Sequence, residues 1–168
     1  MNPSDIIGAL ESNMDVFGQL LAVPVALQKW RPPKGSWSLL EIICHLRDEE
    51  CEDFRARTKL ALYPGKGSLV PIHPVKWVKD RHYMEQSFPE VLENFLMERE
   101  RSVAWLRSLQ QPDWTSSYLH TELGPMTALG MLANWLAHDY HHIRQINAVK
   151  YSFLKKQTET DLRYAGKW

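Results

Sequence analysis

"WSLLEIICHLRDEECEDFRARTKLAL", residues 37–62, decides the fold. Ser38 precedes Glu41 by three residues, the spacing of a capping box, in which each side chain accepts from the other's backbone N–H at a helix start. Trp37 and Ile42 are placed to pack over that start as a hydrophobic staple. Leu39, Ile42, Ile43 and Leu46 then recur at the three- and four-residue spacing of one helical face. The pattern continues to about Leu62, where "YPGKGS" breaks it.

Outward from this helix the chain repeats the theme. A first helix runs from about Ser4 to Leu21 and stops before Pro24. The loop "YPGKGSLVPIHP" leads to a short amphipathic piece, "VKWVKDRHYM". Ser87 and Glu90 then have the spacing of a second capping box, opening "FPEVLENFLMERERSVAWLRSLQ". "TSSYLHTELGP" reads as an irregular or briefly extended loop, and a fourth long helix runs from about Thr127 to Lys150. The tail "QTETDLRYAGKW" is short, polar and without a pattern. No internal repeat, low-complexity tract or strand-length alternation competes. The expected fold is all-α: one domain over residues 1–168, an antiparallel four-helix bundle with a short extra helix between the second and third long helices.

Composition narrows the partners. With 44% apolar and 24% charged residues the chain is that of a soluble globular protein. Lys plus Arg equal Asp plus Glu at 20 each, with no block of like charge, which argues against nucleic acid. Acids interrupt the apolar residues of "MNPSDIIGALESNMDVFGQLLAVPVAL", which is neither a secretory signal nor a membrane span, so a cytoplasmic protein is expected. Cys44 and Cys51 are seven residues apart on one helix, roughly 10 Å, too far for a mutual disulfide. Free thiols fit a reducing compartment. Seven tryptophans are expected to fill space between helices, with pocket lining as the alternative.

The chemistry gathers in "NWLAHDYHHIRQI", residues 134–146. His138 and His142 lie one turn apart on the face that carries Met131, Trp135, Ile146 and Val149, whereas His141 turns to the other side. Two imidazoles so placed can close on one metal ion, but need a donor from elsewhere. In the second helix His45 borders the core face and Glu49 follows one turn later, as a fourth ligand or as an outer partner of an imidazole N–H. Glu41 is engaged by the cap. Read alone, His45 is a half-buried core histidine sooner than a ligand, Glu49 a solvated acid, and Arg55 and Arg57 mere charge balance. Cys44 lies about 100° from His45, on the side away from the core face, and is a poor nucleophile. His73, His82 and His120 fall in or near loops, where histidines are ordinarily solvated.

Taken together, Trp37, Ser38, His45, His138, His142 and Gln145 resemble the pattern of the DinB-like superfamily, bacterial four-helix proteins also known as YfiT-like metal-dependent hydrolases. The resemblance spans about residues 5–150. It implies that His45, His138 and His142 bind one divalent ion inside the bundle, Zn²⁺ or Ni²⁺ before other metals. His141 falls at the rim, and Glu49 and His141 become the candidate acid–base groups. Such an ion can activate water or bind a thiolate. Relatives in the superfamily include bacillithiol and mycothiol transferases and a mycothiol-dependent isomerase. The first expectation is therefore a thiol S-transferase acting on a small molecule with a low-molecular-weight thiol. A metal-dependent hydrolase is the alternative, and a non-enzymatic, stress-associated metal-binding bundle the third reading. A homodimer is also expected, because relatives often dimerise and tryptophan-rich helices leave apolar surface beyond one core.

Overall fold

A computed structural model describes residues 1–33, 35–68 and 70–168. Helix α1 (Pro3–Leu20) starts on a capping box that the sequence reading missed, with Asn2 and Asp5 accepting from each other's backbone N–H. A single turn, α2 (Val25–Gln28), follows. Helix α3 (Leu39–Glu49) starts as its sequence requires: the Ser38 hydroxyl accepts from the Glu41 N–H, and the Glu41 carboxylate accepts from the Ser38 N–H and from Arg31. The rod then widens into a π-helical stretch, Glu50–Arg55, before resuming as α4 (Ala56–Leu62). Next come α5 (Pro74–Asp80), a 3₁₀ turn (Tyr83–Glu85) and α6 (Phe88–Ser108). Strands β1 (Ser117–His120) and β2 (Gly124–Thr127) lead into α7 (Ala128–Thr158).

The architecture is the expected helical bundle with a short extra helix, and four details differ. Ser87 occupies the N-cap of α6 but makes no side-chain bond there; Pro89 in the first turn pre-sets the backbone and lacks an N–H that would need a partner. Residues 117–127 form an antiparallel hairpin rather than an irregular loop, with Ser117 opposite Thr127 and His120 opposite Gly124. The buried Tyr118 pins it to the bundle, and Gly124 supplies the positive φ of its turn. Helix α7 runs past Lys150 to Thr158, because Phe153 still packs on the core, edge-on to Trp30, and Lys155 and Lys156 suit the negative end of the helix. The tail then folds back to stack Trp168 on Tyr151.

The α3–π–α4 rod packs on α6 and reaches α7, while α1 lies against α6 and α7. Two apolar clusters result, one around Phe17, Ile42, Phe95 and Ile146, the other around Leu10, Phe54, Leu132 and Trp135. The fully buried Trp135 fills inter-helix space as expected of its ring. Cys44 departs from its expected place: it is fully buried, because α5 and the 3₁₀ turn cover the side of α3 opposite the bundle. Both cysteines are free. Among the described residues no helix is long and apolar enough to cross a membrane.

Candidate metal centre

Helices α3 and α7 deliver three imidazoles to one point. His138 Nε2 lies 3.2 Å from His45 Nε2 and 3.0 Å from His142 Nε2. Ligands held at about 2.1 Å by a tetrahedral ion stand roughly 3.4 Å from one another, so the cluster has the dimensions of a site for a single divalent ion. The Glu49 carboxylate lies beside it: Oε2 is 3.0 Å from His138 Nε2 and 3.6 Å from His45 Nε2.

Surrounding groups fix the rings. The Gln145 Oε1 atom accepts from His142 Nδ1 at 2.7 Å, which places the proton on Nδ1 and leaves Nε2 free as a donor to metal. Trp37 packs on the His45 ring and Phe54 on the His138 ring, at centroid distances of 5.0 and 4.8 Å. Among the described residues the buried His45 Nδ1 has no hydrogen-bond partner. Asp139 and Asn134, beside the histidines on α7, are engaged elsewhere. Asp139 is drawn into a buried ion cluster with Arg99, and Asn134 donates to the Gly130 carbonyl.

Burial, reinforced by the neighbouring imidazoles, disfavours the charged forms. The pKa of His45 is pushed down to about 4 and that of His142 to about 2. Neutral imidazole is the ligating form, so the site is preset for an ion. The linkage has a definite sign. Above pH 6.5 both groups are neutral folded and unfolded. As pH falls below 6.5 the unfolded chain takes up protons that the folded chain refuses, and stability is lost, by up to about 1.4 kcal/mol per pH unit for each histidine. Urea denaturation of metal-free protein should therefore give a clearly lower unfolding free energy at pH 4.5 than at 6.5; equal values would show that these rings are not held neutral.

A cleft of about 840 Å³ opens beside the cluster, between the rod, the hairpin and α7, and is lined by His138 of the cluster and by His141. His141 sits exposed at this rim, its ring edge-on to His142, outside the three-nitrogen cluster. Of the loop histidines, His73 and His120 line the cleft. His120 is engaged in the hairpin turn, its Nδ1 accepting from the N–H groups of Glu122 and Leu123. His82 is remote and pairs with Glu85. Asp53, Arg57 and Tyr118 also line the cleft, and nothing in the helical periodicity singled them out. Burial pushes the Cys44 thiol up to about 12, so it is no nucleophile, although not for the reason its wheel position offered.

Fold and cluster together define a histidine-centred metal-binding helical bundle. The chain belongs to the DinB superfamily, which it matches over residues 9–146. Its fold is similar to that of YfiT from Bacillus subtilis, described as a probable metal-dependent hydrolase with an unusual four-helix bundle topology. The TM-score is 0.77 at 20% identity, with 95% of this chain and 89% of that one covered. No curated protein matches the sequence.

Proposed function

We propose that the protein is a metal-dependent hydrolase in which His45, His138 and His142 hold one divalent ion, Zn²⁺ or Ni²⁺, and Glu49 is the proton acceptor. The observation that carries this is the position of Glu49 Oε2, 3.0 Å from His138 Nε2 at the mouth of the three-histidine cluster. The chemistry an ion held by His45, His138 and His142 would supply is Lewis-acid activation of water and of a carbonyl group. Glu49 takes up the proton released as water attacks, and its burial between two imidazoles holds the carboxylate in place. His141, exposed on the rim and facing the cleft, is positioned to return a proton to the leaving group. The cleft binds the rest of the substrate.

A carboxylate base is useful to water, whereas a thiol bound to the ion is deprotonated without one. This places hydrolysis ahead of thiol transfer. Zn²⁺-loaded protein should hydrolyse activated esters at a rate rising through a pKa near 7, without added thiol. Glu49→Gln should lower turnover about a hundredfold while elemental analysis still finds close to one ion per chain. Turnover that appears only when a thiol is supplied would replace this reading with the transferase.

A further inference from the structure

The cleft beside the metal centre has one cationic side chain among its described lining residues, Arg57 of α4. We propose that Arg57 anchors a free carboxylate of the substrate, so that the enzyme acts on acyl compounds that carry a second, anionic end. This rests on the hydrolase reading for the reaction, but not for the binding.

Four observations support it. Arg57 lines the same cavity as His138 and His141, so a ligand reaching toward the ion passes the guanidinium. The intervening wall is apolar, with Phe54, Met126 and Met131, which suits a short hydrocarbon spacer. The guanidinium is under-used. It has five N–H donors and engages Asp53 and Tyr118, yet among the described residues its buried Nη1 has no hydrogen-bond partner. Finally, side chains lean toward the N-terminus of their helix, which tilts Arg57 back along the rod toward Glu49. The Cα atoms of Glu49 and Arg57 are roughly 12 Å apart along the rod, so the anchored carboxylate lies several bonds from the scissile carbonyl. Arginine matches a carboxylate with two parallel donors, and a planar acid end in the cleft would use donors that Asp53 and Tyr118 leave free. Glu122, the other acid in the cleft, is exposed on the hairpin turn.

The test is calorimetric binding of succinate, glutarate and adipate to Zn²⁺-loaded protein, each against the monocarboxylate of equal length, which has a carboxylate for the ion and none for Arg57. At least one diacid should bind on the order of tenfold more tightly than its monoacid. Arg57→Met should abolish that preference and leave monoacid binding unchanged, whereas Arg57→Lys should retain part of it. Asp53→Asn, which removes the competing carboxylate, should tighten the diacid further. Because Arg57→Met strands Asp53, the Asp53→Asn/Arg57→Met double variant, with both charges removed, repeats the test in a neutral background. No diacid preference, or one that survives the loss of Arg57, overturns the proposal. Turnover of the matching p-nitrophenyl half-esters is scored separately: diacid binding without any hydrolysis would keep the anchor and refute the hydrolase.

Discussion

His138→Ala is expected to empty the metal centre. Elemental analysis should fall from one ion per chain to less than a tenth, and ester hydrolysis should fall at least a thousandfold. The expectation follows from His138 being the hub of the cluster, within 3.2 Å of both other imidazoles and of the Glu49 carboxylate. Removing it leaves the ion only two imidazoles, His45 and His142. The side chain is partly exposed on the cleft side, so its loss opens the cleft rather than a core cavity. The control is the neighbouring rim residue: His141→Ala should keep the ion. A melting curve gives a second readout, because an ion bound only by the folded chain at a thousand times its Kd adds about 4 kcal/mol of stability. Added Zn²⁺ should raise the melting temperature of wild type and leave that of His138→Ala unmoved. A His138→Ala protein that still retained one ion would mean that the metal lies elsewhere.

The second large effect lies in the bundle interior, immediately behind the site. Arg99 is 1% exposed, and all five of its donors are matched: Nε and Nη2 to Glu50, Nη1 and Nη2 to Asp139, and Nη1 also to the Leu10 carbonyl. Trp135 Nε1 donates to Glu50, and the Asn13 amide to Asp139. This joins α1, the π turn, α6 and α7. Arg99→Met keeps most of the volume but strands two buried carboxylates, and should cost about 3–5 kcal/mol at pH 7. Adding Glu50→Gln and Asp139→Asn, which removes the stranded charges, should recover part of the deficit. A urea-denaturation deficit below about 1 kcal/mol at pH 7 would show that the cluster tolerates the loss of its cation.

Much of this was legible in the sequence because it is local. The Ser38–Glu41 spacing fixed the start of α3, and the four-residue spacing of His138 and His142 put two imidazoles on one face. His45 needed the partner helix before its role could be distinguished from that of a core histidine. What was not legible depends on register and on distant contacts. An ideal wheel assumes 3.6 residues per turn, and a π turn takes one more. From Glu50 onward the wheel therefore points to the wrong neighbours: it gives no sign that Glu50 is buried against Arg99 and Trp135, or that Asp53 and Arg57 line the cleft. Cys44 was misplaced for another reason, since the α5 segment that covers it is remote in sequence. The hairpin was hidden by brevity, four residues a strand, with only Tyr118 buried.

The π turn at Glu50–Arg55 also acts as a phase corrector within a single rod. Upstream of it, His45 and Glu49 face His138 across the bundle. An ideal helix would carry Asp53 and Arg57 roughly 80° and 120° round from His45, whereas the extra residue of the π turn sets the count back by about 100° and keeps them beside His138 as lining of the same cleft. Donors and cleft wall thus share one face of one rod, and a substitution that restored ideal pitch would turn the wall away from the histidines.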